Sequence, residues 1–371
     1  MIEISGKYTS AIIHTDEIED YAIAQIRQLC DQPAFEGSRI RIMPDVHPGK
    51  VGPIGFTATV TDKILPAVVG IDIGCGIIIA RIRQKNVEFG KLDAVIRENI
   101  PSGFGTRKSP HRFAEEFDFD RLYCVSHIRK DLALKSMGTL GGGNHFIEID
   151  KSESGDLYVV IHTGSRHLGK EVADHYLIMG RDKLFGSDKK IPYELSWLEG
   201  DQKDAYIHDA AVVQDYAAIN RKAILDELAK GMKWKIEEEF DCVHNYISRD
   251  HTGATIIRKG AISAEADEKV VIPVNMRDGI IFGVGKGNPD WNCSAPHGAG
   301  RIAKREDIRN AYTVSQYKKQ MKGIYSSCIG KETLDEAPFA YRSLEYIRGA
   351  IEVTVEVQEV LYPVYNFKAG G

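Results

Sequence analysis

An aspartate and a cysteine stand on one glycine-flanked turn, Asp72-Ile73-Gly74-Cys75-Gly76. Glycine permits backbone angles that other residues resist, so both side chains can converge on one point. Far downstream lie three polar segments that carry histidine: Gly141-Gly142-Gly143-Asn144-His145-Phe146, His162-Thr163-Gly164-Ser165-Arg166, and Ala295-Pro296-His297-Gly298-Ala299-Gly300-Arg301. Carboxylate, thiolate and imidazole are the donors of a borderline transition-metal site. A thiol beside a divalent cation is deprotonated, and its sulfur could bridge two metals. The plainer alternative, a buried structural cysteine and a turn-capping aspartate, stays open at this level.

His145 follows three consecutive glycines, a flexible turn more often kept for close ligand approach than for stability. His162 ends the apolar run Val159-Val160-Ile161. The Thr163-Gly164-Ser165-Arg166 that follows offers hydroxyls, backbone N–H groups and a guanidinium to phosphate, or is simply a surface turn. The small neighbours of His297 expose its imidazole. A neutral imidazole can attack phosphorus if its other nitrogen is held by an acceptor, and Arg301 could then neutralise phosphate charge. A loop histidine bonded to backbone explains the same residues. His244, His167 and His251 carry no local signal. Gly285-Lys286-Gly287-Asn288 lacks the P-loop spacing and is not read as a nucleotide site of that type.

The elements that must position these groups are partly visible. Glu17 to Cys30 reads as an amphipathic helix with Ile18, Tyr21, Ala22, Ile26 and Leu29 on one face. Arg39 to Met43, Ile54 to Val60, Val68 to Ile82 and Leu157 to Ile161 read as strands. Asp204 to Lys230 is a long helical pattern without Pro or Gly. A second β-rich region runs from Ala261 to Gly285, and Ile351 to Val357 alternates as a half-buried strand does. Phe104 to Phe119 is polar and mixed, the pattern of a mobile loop. No internal repeat or domain seam is visible, so residues 1–371 read as one domain.

The 371 residues carry a net charge of -5, which argues against a general nucleic-acid binder. It does not exclude a local basic groove. Arg39-Ile40-Arg41, Arg81-Ile82-Arg83, Arg107-Lys108 and Lys318-Lys319 are short enough to be ordinary solvated faces. The cysteines at 30, 75, 124, 242, 293 and 328 form no CxxC pair. That spacing speaks against a zinc ribbon and a disulfide scaffold. Apolar runs fall far short of the ~20 residues that span a membrane. No secretory signal is visible, so a cytoplasmic location is expected.

Taken together, Met43-Pro44-Asp45-Val46-His47-Pro48-Gly49, Gly70-Ile71-Asp72-Ile73-Gly74-Cys75-Gly76, Gly141 to Glu148, His162 to Arg166, Tyr216-Ala217 with Asn220-Arg221, and His297 to Arg301 resemble the RtcB family of RNA ligases. The motifs are ordered and span most of the chain. The resemblance implies an α+β fold, with mixed sheets and flanking helices around a deep central metal pocket. It implies a GTP- and Mn²⁺-dependent ligase that joins RNA ending in a 3′-phosphate or 2′,3′-cyclic phosphate to RNA with a 5′-hydroxyl.

By position, Cys75 would bridge two Mn²⁺ ions, with Asp72 and His145 completing one site and His162 and His244 the other. His297 would take GMP, oriented by Asp45, with Arg301 beside the phosphates. Asn144, Phe146, Glu148, Tyr341 and Lys368 resemble guanylate contacts, and Arg166 an RNA-phosphate contact. An archease-like activator is an optional partner of such enzymes, and a monomer without membrane association is expected.

This chain departs from the pattern at Pro273-Val274-Asn275-Met276-Arg277, where many members have Pro-Gly-Ser-Met-Gly. Asn275 replaces the serine expected on guanylate. Its tail runs past the expected end as Lys368-Ala369-Gly370-Gly371. These departures suit a divergent bacterial-type subgroup, acting in RNA repair (ribosomal RNA included) or in tRNA splicing. A guanylyltransferase that caps 3′-phosphates without joining, a non-catalytic RNA-binding metalloprotein and a metal hydrolase are the alternatives.

Overall fold

The computed structural model describes residues 1–185 and 191–368; the tail beyond Lys368 lies outside the described residues. The fold is mixed α+β, with two large sheets and helices packed against them. A six-stranded sheet runs in the order Ile2–Ser5, Ser10–Ile13, Ile40–His47, Ile54–Thr59, Thr255–Lys259, Asn245–Arg249. A seven-stranded sheet runs Ile236–Val243, Gly76–Ile82, Leu157–Thr163, Phe146–Lys151, Val355–Lys368, Gly279–Gly285, Lys269–Asn275. A short ribbon pairs Ala261–Ser263 with Ser294–Pro296. Among the described residues no helix is long and apolar enough to cross a membrane.

The seven-stranded sheet is covered on both faces, which explains its nearly continuous apolar strands. Ile77, Ile79 and Val160 face a core with Ile272, Ile281 and Ile347. Ile78, Ile82, Val159, Ile161, Ile147 and Ile149 face a second core with Leu92, Ile96, Ile224 and Leu228. The latter four belong to the helices Phe89–Asn99 and Asp201–Met232. Asp201 and Asp204 lie in the first turn of the long helix, where carboxylates complement the helix dipole. A left-handed Lys233 ends it.

Several boundaries differ from expectation. Val68 to Ile82 is not one strand. Pro66–Val69 is a helical turn, and the strand begins only at Gly76. Gly70 and Gly74 take φ of 90° and 77°, which reverses the chain between the two elements. A Cβ on Gly74 would lie 2.8 Å from the Ala217 methyl, so this turn packs directly on the long helix. The alternation over Ile351 to Val357 straddles the end of the helix Leu344–Ile351 and a strand that starts at Val355. The first helix starts at Asp20 rather than Glu17. Phe104 to Phe119 is tied down at its far end, where Phe117 meets the Tyr216 ring edge-on at 5.3 Å. Phe104 itself is exposed.

Candidate metal centre and histidine site

Strand register assembles the first cluster. Gly76 pairs with Thr163 and with Val243, while His162 pairs with Ile77 and Phe146. Cys75, His145, His162 and His244 therefore fall at one end of four adjacent strands. The His244 N–H donates to the Cys75 carbonyl at 2.9 Å. The strand expected to stop at Ile161 runs through Thr163, because its ladder continues on both sides. His162 is thus a strand residue, held more rigidly than a loop histidine.

Cys75 Sγ lies 3.5 Å from His145 Nε2 and 3.3 Å from His162 Nε2. His162 Nε2 is 3.3 Å from His244 Nε2, and His145 Nε2 is 3.2 Å from Asp72 Oδ2. Two donor groups result, Asp72–Cys75–His145 and Cys75–His162–His244, sharing the sulfur. The far ring nitrogens are fixed by carbonyls: His145 Nδ1 donates to Leu140 O at 2.8 Å and His162 Nδ1 to Asn144 O at 3.2 Å. A carbonyl accepts only, so each Nδ1 carries a proton; neutral His162 then turns its Nε2 lone pair inward, while His145 Nε2 faces the Asp72 carboxylate.

The loops around this cluster are pinned from below. Arg221, fully buried in the long helix, meets both Asp241 oxygens at 2.5 Å. It also donates to Gly74 O at 2.7 Å and Thr163 O at 3.0 Å. Asn220 donates to Gly164 O at 2.9 Å. A Cβ on Gly164 would lie 2.1 Å from Asp72 Oδ1, so only glycine lets the two loops touch. The Ser165 N–H donates to that same oxygen at 3.1 Å.

Electrostatics suit a divalent cation. Burial drives His162 and His244 well below the ordinary imidazole range, helped by neighbouring histidines, so both are neutral ligands. Burial alone would raise the Asp72 carboxyl, but hydrogen bonding to His145 and its charge outweigh this and bring it down to about 2. Burial, then the Asp72 carboxylate, pushes the Cys75 thiol well above its usual range. Without a cation the thiol stays protonated; a divalent ion supplies the charge that releases the proton. The donor chemistry fits a manganese- or zinc-class ion.

The second element is an Asp–His pair. Asp45, fully buried, accepts from His297 Nδ1 at 2.7 Å and from the His297 N–H at 3.2 Å. The His297 ring lies 4.8 Å from that of His244, so the pair adjoins the metal-type cluster. His47, two residues beyond Asp45, lines the same cleft, and burial, then His297, pushes it down to about 3.

His162, His244 and His297 open on a cleft of about 790 Å³. Its walls include Asn144, Phe146, Glu148, Asn275, Arg301, Tyr341 and Lys368. Burial lifts the Glu148 carboxyl to about 8 against the opposing pull of Lys368. Glu148 faces Asn366 across the strand register. Glu148 Oε1 and both polar atoms of Asn366 are buried without a hydrogen bond of good geometry. Such atoms are open to a bound water or to a ligand with donors and acceptors of its own.

Asn275 lies on this wall but is committed to its own turn. Its Nδ2 donates to Asp278 at 2.8 Å and its Oδ1 accepts from the Arg277 and Asp278 N–H groups at 3.0 Å. The Arg277 side chain pairs with Asp278 and Gln320 and is not among the cleft residues. Arg166 lies elsewhere, in a second cleft with Ile71, Asp72, Phe104 and Lys170. It donates to Gly103 O at 2.8 Å and Thr139 Oγ1 at 3.2 Å. The metal-type cluster therefore stands between the two clefts.

Glu336 was not foreseen. Its Oε2 accepts from Lys368 at 2.8 Å and from the Tyr341 hydroxyl at 2.5 Å, and its Oε1 meets Arg305 at 2.7 Å and Arg301 at 3.3 Å. Burial would raise this carboxyl, but Lys368, Arg305 and Arg301 bring it down to about 2. Nothing local in Leu334-Asp335-Glu336 signals this role. Arg221 and Asn220 did have a signal: a guanidinium and an amide on the buried face of a long helix.

Two donor groups that share one thiol beside an Asp–His pair, set at the strand ends of a mixed sheet, fit a metal-dependent enzyme. The family model described as "tRNA-splicing ligase RtcB" matches residues 25–127 and 114–369, and the chain belongs to this family. It is 28% identical to the RNA-splicing ligase RtcB of Escherichia coli strain K12, over 90% of this chain and 91% of that protein. It is 26% identical to the tRNA-splicing ligase RtcB of Aeropyrum pernix, over 91% of this chain and 90% of that protein. It is 27% identical to the tRNA-splicing ligase RtcB of Nanoarchaeum equitans, over 91% and 88%.

Proposed function

We propose that residues 1–371 form one RNA ligase domain that uses GTP and Mn²⁺ to join 3′-phosphate or 2′,3′-cyclic phosphate ends to 5′-hydroxyl ends. The observation that carries this reading is the Asp45–His297 pair, seated against the Cys75-sharing cluster, with His297 lining the same cleft as His162 and His244. In this reading Asp72, Cys75 and His145 hold one ion and Cys75, His162 and His244 the other. Bound ions would neutralise phosphate charge and favour in-line displacement.

Asp45 keeps the His297 proton on Nδ1 and leaves the Nε2 lone pair for attack on the α-phosphorus of GTP. A P–N bond forms, the bond to the bridging oxygen breaks, and pyrophosphate departs. The RNA 3′-phosphate, freed from any cyclic ester by water, then takes the GMP and restores the imidazole. The 5′-hydroxyl attacks this activated end and GMP leaves. Arg301 balances phosphate charge. Asn144, Phe146, Glu148, Asn275, Tyr341 and Lys368 surround the guanylate, and Arg166 contacts RNA from the second cleft. The deep cleft beside the metals is the nucleotide side and the Arg166 cleft the RNA side. The enzyme acts as a cytoplasmic monomer in RNA repair or tRNA splicing.

Incubation with α-labelled GTP and Mn²⁺ tests the first step. An acid-labile, alkali-stable labelled band in the wild type, absent in His297→Ala, is the expected result. No band in a metal-loaded wild type would refute the ligase reading.

A further inference from the structure

Away from the ligase site, a third set of metal-type donors converges on the opposite end of the ribbon that leads to His297. The turn 250–254 joins the strands Asn245–Arg249 and Thr255–Lys259 and carries His251. Asp250 Oδ1 braces that turn by accepting from the Thr252 and Ala254 N–H groups, each at 2.9 Å. Glu265 follows the strand Ala261–Ser263, and Cys293 precedes its partner Ser294–Pro296. Ser263 pairs with Ser294 at this end, while Ala261 pairs with Pro296 at the His297 end.

Glu265 Oε2 lies 2.8 Å from His251 Nδ1, and Cys293 Sγ lies 4.0 Å from the same nitrogen. All three donor atoms fall within 4.8 Å of one another. A tetrahedral zinc-class ion, with bonds of about 2.0 to 2.3 Å, sets such donors roughly 3.3 to 3.5 Å apart. The His251–Glu265 and His251–Cys293 separations therefore each lie about half an ångström from that spacing. Glu265 Oε1 is buried without a hydrogen bond. Asn292 and Cys293 both take left-handed backbone, φ 52° and 45°, a conformation non-glycine residues rarely hold in succession. It is maintained by the Cys293 N–H donating to Asn288 O at 2.9 Å and the Ala264 N–H donating to Cys293 O at 2.8 Å. That backbone holds a buried sulfur beneath an exposed imidazole.

We propose that His251, Glu265 and Cys293 bind a zinc-class divalent cation, separate from the metals of the ligase centre. Thiolate with imidazole selects zinc over magnesium or calcium, and three protein donors leave a fourth position for water. The ion would tie the 250–254 turn to the ribbon bearing His297.

Two measurements on the full-length protein decide the matter. Equilibrium dialysis with Zn²⁺ should give the wild type one more bound ion than Cys293→Ser or His251→Ala, with Glu265→Gln binding that ion more weakly. Co²⁺ added to Cys75→Ala, which lacks the ligase-centre thiol, should still give a sulfur-to-cobalt charge-transfer band and tetrahedral absorption. Both should vanish in Cys75→Ala/Cys293→Ser. Equal zinc stoichiometry in the wild type and the two single variants would overturn the proposal, and the trio would be an ion pair over a buried thiol. If Cys75→Ala does not fold, the zinc count in the Cys75-containing proteins decides alone.

Discussion

Asp45 Oδ2 and His297 Nδ1 lie 2.7 Å apart although 252 positions separate them in the chain. Asp45 is fully buried, so its carboxylate has little water to compete with the imidazole. The pairing sets the tautomer and leaves Nε2 as the nitrogen free for chemistry.

If His297 takes guanylate as proposed, Asp45→Asn should slow that transfer by about 10²- to 10⁴-fold, the range expected when the group orienting a catalytic histidine loses its charge. The loss should fall on the rate of labelling, with little change in the GTP concentration that half-saturates it. Single-turnover labelling across GTP concentrations measures both quantities. A uniform rise in the half-saturating concentration at normal rate would instead make Asp45 a binding residue.

Because both donor groups share one sulfur, Cys75→Ala should impair both proposed metal sites, whereas His145→Ala and His244→Ala should each weaken one. Manganese binding by calorimetry distinguishes these patterns. Two undisturbed sites in Cys75→Ala would rule out a bridging thiolate.

Arg221 faces Asp241 and two loop carbonyls from a fully buried position. Arg221→Met removes the cation and strands its partners, at a cost of about 3 kcal/mol or more. Urea denaturation should show the lowered midpoint, and metal affinity should fall with it because the Gly74 and Thr163 carbonyls lose their common donor.

Acid stability should report Glu336. Its folded value of about 2 lies below the ordinary 4.5, so its ion pairs stabilise the native state above pH 4.5. That contribution is lost progressively as pH falls from 4.5 toward 2. In Glu336→Gln this part of the pH dependence should flatten, and the stability at neutral pH should drop because Lys368, Arg301 and Arg305 lose their common anion. Thermal melts at stepped pH compare the two proteins.

Donor types were legible in the sequence far better than the distances between them. Asp72, Cys75, His145 and His162 stand on glycine-flanked or apolar-flanked segments whose composition is informative in itself. His244 carries no such mark: it joins the cluster because Val243 pairs with Gly76, a matter of sheet register between distant strands. Glu336 escaped for the same reason, since its partners come from positions 301, 305, 341 and 368. The break at Gly70 to Cys75 was hidden because an apolar helical turn and an apolar strand read alike over so short a run. Asn275 lines the cleft as its position suggests, but the hydrogen bonds that hold its side chain within its own turn leave no mark in the sequence.

The strand Val355–Lys368 lies between Phe146–Lys151 and Gly279–Gly285 in the seven-stranded sheet. During synthesis the four-strand and two-strand portions on either side cannot be joined until this late segment has emerged from the ribosome. The same segment delivers Lys368 to its carboxylate partner. A nascent chain lacking it would expose two open sheet edges, the surfaces on which unfinished proteins pair wrongly or recruit chaperones. Completion of the sheet and completion of the cleft are thus one event in the life of the polypeptide.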